Sequence, residues 1–196
     1  PYIGNNFEFA EMLAEMLGEL NISHSGATFN SGNANDDATA SIGVFFDQTY
    51  TGAGAKVDEI IKDGPLDRHN ITIKPGAIIE SVDGNEIAPD KDIAQFLNRK
   101  ANKNVLITVS EGGKKTEYVV KPIPLAEENR LLYARWVKRN ADEVERASGG
   151  QLGYVHIPGM NDGAYRTTFE DIMGKYATRK GVVVDTRWNG GGDLVA

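Results

Sequence analysis

Residues 181–192 read GVVVDTRWNGGG. Three successive valines between a glycine and a polar turn are too short a run for a helix and read as a strand. Asp185 and Arg187 bracket the strand's end, and Gly190, Gly191 and Gly192 follow at once. A strand thus opens into a loop whose backbone amides no Cβ obstructs. Upstream, AYRTTFEDIMGKYA (164–177) places Tyr165, Phe169, Ile172 and Met173 at helical spacing, a face expected to point inward. QLGYVHI (151–157) reads as a strand closed by a Pro158-Gly159 turn. Strand, helix, then apolar strand is the βαβ pattern, and the unbroken valine run predicts a parallel strand buried on both faces.

Before this unit, LAEENRLLYARWVKRNADEVERAS (125–148) has helical periodicity through Leu125, Leu132, Trp136 and Val137, and Gly149-Gly150 stops it. Pro122 and Pro124 separate that helix from a strand-rich block at 41–123. SIGVFFD (41–47), AKVDEII (55–61) and AIIESV (77–82) read as strands, with a tight turn at Asp83-Gly84. Ile93, Phe96 and Leu97 predict a short helix over 92–100. NVLITVS and TEYVVKPI alternate around Glu111 to Lys114 as a hairpin. At the other end, Phe9, Leu13, Met16, Leu17 and Leu20 mark one face of an amphipathic helix. Asn21 suits its exit, and the small polar residues 30–39 read as a surface loop. The expected organisation is α+β: an N-terminal helical segment (1–40), a β-rich domain (41–123) and the first part of an α/β core (124–196).

Composition narrows the function classes. With 40% hydrophobic and 25% charged residues the chain is globular rather than disordered. A net charge of −7, from 21 basic and 28 acidic residues, argues against a nucleic-acid grip. No apolar run approaches the roughly 20 residues of a membrane span, so no membrane insertion is expected. The absence of cysteine excludes disulfides, thiol catalysis and cysteine metal sites. His24, His69 and His156 are spaced for no metal site, and no cofactor is expected. The sequence begins at Pro1 without a basic-then-apolar leader, so any targeting segment is expected to lie outside it. The compartment, cytoplasmic or extracytoplasmic, stays open.

Three stretches carry a family resemblance. The 41–123 block resembles a PDZ domain. Its SIGV (41–44) sits where such domains have the loop that receives a peptide carboxylate, and IKPGAIIESVDGNEI (73–87) resembles the stretch before their groove helix. Ser41 stands where Gly is common, and Ala77 follows Gly76 where many bacterial PDZ domains have Asp. Both departures count against capture of free C-termini. GYVHIP and GVVVDTRWNGGG together resemble the catalytic core of the serine peptidases that include the C-terminal processing peptidases and the tricorn protease. Ser23-His24-Ser25, after a helix and before the PDZ-like block, has the order of the tricorn type.

The resemblance implies a PDZ domain inserted into a serine-peptidase domain that hydrolyses peptides or unfolded proteins; the unpaired sheet edge expected at its end leads to an expected association with a second copy, as a homo-oligomer. The resemblance makes His24 the general base, work suited to an imidazole with a reference pKa of about 6.5. Read alone, a histidine just past a helix end simply meets the helix dipole. Ser23 would orient groups around His24, or be a helix-exit serine bonding backbone. Ser25 points away from its neighbour on an extended segment and is discounted as nucleophile. Gly191, with Gly192 next, would supply an oxyanion-hole N–H. A phosphate loop would follow its glycines with Lys and Ser/Thr, where Asp193 and Leu194 stand. Asp185, Arg187 and Asn189 would shape the loop, Arg187 pairing with Asp185 or another buried carboxylate.

Ile42, Gly43, Val44, Ile93, Phe96 and Leu97 would form a slot for an added peptide strand, or serve the core alone. The attacking serine and a later Glu have no matching position in these 196 residues, so the chain by itself is expected to be inactive. The alternative reading is a non-catalytic, PDZ-containing peptide-binding scaffold.

Overall fold

The structure is a computed structural model that describes residues 2–21, 25–30, 32 and 37–192. Two compact units divide at 37/38.

In the first unit, α1 (Asn6–Gly18) is opened by Asn5, whose side chain accepts the Glu8 N–H at 2.9 Å. Glu8 reaches back to accept the Gly4 N–H at 2.7 Å, tying the residue before the cap to the first turn. Asn21 leaves the helix region at φ 49°, as its place at the exit predicts. Phe7 and Phe29 meet edge to face. Of α1's residues only Ala10 is buried, while Phe9, Met16 and, past the helix end, Leu20 are exposed.

The second unit is built around an antiparallel sheet of β2 (Val44–Phe46), β3 (Ala55–Ile60), β4 (Ile78–Val82), β6 (Val105–Glu111) and β7 (Lys114–Val120), in that order, with β5 (Asn85–Glu86) beside β4. Alternating residues of these strands meet in one core in which Val57, Ile79 and Ile107 are wholly buried. Asp83-Gly84 and Gly112-Gly113 all have positive φ, the tight-turn geometry that their sequences predict. The first expected strand is broken in two. Ala40–Ser41 (β1) pairs antiparallel with Ile123–Pro124 (β8), and β2 restarts at Val44. Between them Gly43 adopts φ 74°, and a Cβ there would lie 2.7 Å from Pro65 Cδ. The expected helix over 92–100 shrinks to α2 (Ala94–Leu97). Asn98 turns extended so that Thr39 Oγ1 donates to its side chain at 2.6 Å, and the Arg99 N–H reaches Ala38 O. Tertiary hydrogen bonds replace helical ones there.

From Pro124 the long α3 (Leu125–Ala147) leaves this sheet. Leu131 packs with Ile61 and Ile123, and Arg135 grips the Glu59 carboxylate through Nε (2.6 Å) and Nη2. Beyond it lie β9 (Leu152–His156), α4 (Asp162–Glu170) with a π-helical continuation (Asp171–Lys175), and β10 (Gly181–Asp185). β9 and β10 are parallel, from Gly181 opposite Leu152 to Asp185 opposite His156, as the βαβ pattern requires. Burial on both faces is not found: Val183 and Val184 are 38% and 50% exposed. The reason is position, since among the described residues β10 pairs only with β9 and remains an edge. Nor is the α4 face turned inward, for Tyr165, Phe169 and Met173 are exposed and only Tyr176, past the π-turn, is buried.

Ile79→Ala or Ile107→Ala should each lower stability by about 2–5 kcal/mol in urea denaturation, as cavities in a closed core do. Val184→Ala should shift it by no more than about 0.5 kcal/mol; a core-sized loss there would mean that β10 is covered.

Candidate functional site

The glycine loop grows directly out of β10, and one carboxylate organises the turn. Asp185 is buried at the strand's last position, 8% exposed. Its Oδ2 accepts the Tyr154 hydroxyl at 2.7 Å, and its Oδ1 accepts the backbone N–H of Arg187 at 3.0 Å. The Arg187 guanidinium closes the pair, with Nη2 2.5 Å from Oδ2. A carboxylate taken from water must be paired and hydrogen-bonded, and these contacts do both. The Arg187 guanidinium holds the Asp185 carboxyl well below the usual carboxylate range, against the opposing effect of burial. Burial, then the Asp185 bond, pushes the Tyr154 hydroxyl up to about 12. Arg187 pairs with Asp185, as its place in the motif predicts.

Past Asp185 the loop runs on beside residues 157–160 like an extension of the parallel ladder. The Ile157 N–H donates to Asp185 O, Gly190 to Pro158 O, and Met160 to Gly191 O at 2.8 Å. Asn189 ties both sides, donating to Ile157 O at 2.9 Å and accepting the Gly191 N–H at 2.8 Å. Gly191 needs its glycine for φ 79°, and Gly192 for space, because a Cβ there would lie 2.1 Å from Met160 O. An apolar cleft of about 320 Å³ lies alongside, lined by Ile157, Met160, Tyr165, Thr168 and Thr186 together with Asn189.

A cluster that motif reading missed braces the loop from α3. His156 Nε2 is 2.8 Å from Arg187 O; a carbonyl only accepts, so Nε2 carries the proton. His156 Nδ1 lies 2.7 Å from the Tyr133 hydroxyl. Trp136 meets the His156 ring edge-on at 4.8 Å and Trp188 at 5.4 Å, and the Arg187 guanidinium lies 5.2 Å from its ring centroid. Trp188 holds φ 57°, a rare backbone state for a bulky residue. The signal was faint but present: Tyr133 and Trp136 stand three residues apart, on one face of a helix.

The proposed peptide slot is a separate cleft of about 270 Å³ between β2 and α2. Ile42, Val44, Ile93 and Leu97 line it while also belonging to the core. Phe96 packs partly buried against the core, away from the cleft lining. Gly43 is buried in the loop before β2, its N–H donating to Ser41 Oγ at 2.9 Å. Glu128 of α3 also lines the cleft, and nothing in the local sequence marks it. His24 and Ser23 lie outside the described residues, and His69 is exposed. Among the described residues no cluster of three or more His, Asp or Glu is placed to hold a metal ion, and no helix is long and apolar enough to cross a membrane.

Residues 47–124 match the tricorn protease PDZ domain family. Over 199 residues the chain is 30% identical to tricorn protease homolog 1 of Streptomyces coelicolor, an alignment covering 97% of this chain and 18% of that protein. The chain is thus similar to the tricorn proteases along nearly its whole length. The tricorn protease of Thermoplasma acidophilum is 27% identical over 98% of this chain. A tricorn protease crystal structure superposes on 98% of it with a TM-score of 0.80 and 25% identity. The chain spans about a fifth of the length of the tricorn relatives it matches.

The depressed Asp185 carboxyl has a testable sign. It contributes stability above the unfolded carboxylate value, about 3.9, and that contribution is lost as pH falls toward its folded value. Asp185→Asn should cost about 2–3 kcal/mol at pH 7. The gap to the unaltered chain should narrow as urea denaturation is repeated from pH 5 down to about pH 2. A gap independent of pH would remove Asp185's charge from the account.

Proposed function

We propose that the chain contributes to a serine peptidase of the tricorn type, which hydrolyses peptide bonds in peptides or unfolded proteins. The observation that carries this reading is the similarity to tricorn proteases over 97% of the chain, which takes in the PDZ block and the glycine loop alike. In this reading residues 1–40 and 124–196 belong to one catalytic domain, and 41–123 are a PDZ domain inserted in it. The pairing of Ala40 with Pro124 and of Ser41 with Ile123 supports an insertion, because it brings the two ends of the block together.

His24 acts as general base toward a serine hydroxyl supplied by the longer polypeptide, and Ser23 orients groups around it. Gly191 and Gly192 offer backbone N–H groups to the oxyanion. Support comes from the loop's hydrogen-bond ladder, which fixes the backbone before substrate arrives, as electrostatic preorganisation requires. Gly191's N–H rests on Asn189 Oδ1 and must leave it to serve; Gly192 makes no such side-chain bond among the described residues. The adjoining apolar cleft suits an uncharged substrate side chain. The slot beside β2 accepts peptide by strand addition to a free sheet edge.

In the full-length protein, His24→Ala should lower turnover of a fluorogenic peptide by about 10²–10⁴-fold while leaving thermal melting unchanged. Labelling by a serine-reactive fluorophosphonate should fall with it. Undiminished turnover would dismiss His24 as the base, and turnover without any labelling would dismiss the serine mechanism.

A further inference from the structure

The loop that would hold a peptide's terminal carboxylate is already occupied from within the chain. Ser41 is buried, accepts the Gly43 N–H at 2.9 Å, and donates its own proton to Glu128 Oε1. The amide of Gly43 is therefore spent on a side chain, and that side chain is spent on a carboxylate. Glu128 reaches this point from the first turn of α3, 87 residues away in sequence. It lines the same cleft as Ile42, Val44, Ile93 and Leu97. The other charged residue of that lining is Asp92, and no Lys or Arg belongs to it. A peptide ending in a free carboxylate would meet like charge and no unspent donor at Gly43. A peptide passing through as an internal strand would need neither, because the free edge of β2 supplies the backbone partners.

We infer that Glu128 is a built-in carboxylate occupant of the loop before β2, which shuts this groove to free peptide C-termini and restricts it to segments whose carboxyl groups are in amide linkage. The inference rests on the reading of the β2 slot as a peptide groove. Two like charges placed against each other are a common way to reject a ligand that otherwise fits. Here the rejecting charge comes from the helix that braces the glycine loop. The specificity of the PDZ block therefore depends on a residue outside its sequence boundary, which runs to 124 in the family match.

The test compares this chain with its Glu128→Gln and Glu128→Ala variants. Gln removes the charge and keeps the shape; Ala removes both. Each protein is titrated by fluorescence polarisation against short labelled apolar-ended peptides, made in matched free-acid and carboxamide forms. The unaltered chain should bind the amides at least about tenfold more tightly than the acids. At least one variant should shift the ratio toward the acids by about tenfold or more. Circular dichroism confirms that each variant is folded, which the half-buried position of Glu128 favours. Free acids bound as tightly as the amides, or more so, by the unaltered chain would overturn the inference. So would an unchanged ratio in both variants with amides still bound, a result that leaves the groove reading standing. Binding of neither form by any of the three proteins would overturn both.

Discussion

Asp185 is the one charged side chain buried among the described residues, and the backbone beyond it depends on how that charge is satisfied. Tyr154 holds it from β9, the strand beside it, and Arg187 folds back on it from the loop. Those contacts turn the chain sharply at the strand's end. The following residues then run along 157–160 instead of out into solvent, with Asn189 as the cross-tie. A loop secured in this way needs glycine where it touches Met160, and the Gly192 position admits no side chain. Of the three glycines, Gly191 serves a positive φ and Gly192 a close backbone contact.

The second organising element is α3. At its start it supplies Glu128 to the cleft beside β2 and packs Leu131 on Ile61 and Ile123. One turn later Arg135 grips Glu59 and lies 4.9 Å from the Phe45 ring centroid, on the strand that edges the groove. On another face Tyr133 and Trp136 reach His156 and the loop residues Arg187 and Trp188. Near its end Glu145 accepts from Arg179 at 2.6 Å, just before β10. A single helix thus touches both the cleft beside β2 and the glycine loop. Its charged contacts matter more for orientation than for stability, since half-exposed ion pairs contribute only about 0–1 kcal/mol each.

Two of the expectations that failed share a cause. Helical spacing in 164–177 and the valine run at 182–184 both predicted burial, and both faces are exposed. Periodicity reports which residues would form a face, but covering that face takes a neighbouring element, and β10 has one strand beside it. The helix over 92–100 failed differently, because Asn98 and Arg99 found better partners in Thr39 and Ala38 than in another helical turn. Of the residues assigned to chemistry, the glycine loop and its Asp185–Arg187 brace were legible because strand, charge and glycines are contiguous. The brace formed by Tyr133, Trp136, His156 and Trp188 was not, since its members come from three separate elements.

By itself the sequence determined what local chemistry and periodicity can decide. The hairpin turns follow from Asp83-Gly84 and Gly112-Gly113, the parallel βαβ order from the valine run and its preceding helix, and the resemblance to tricorn proteases in part from DTRWNGGG. These depend on residues near one another in the chain, whose backbone preferences act before any long-range contact forms. Only the tertiary structure decided which of those faces is covered, that His156 holds the loop through a carbonyl, and that Glu128 stands in the groove. Each of these joins groups at least 31 residues apart or depends on an element being present to cover another. Such encounters are set by how helices and strands pack, and no local pattern encodes them.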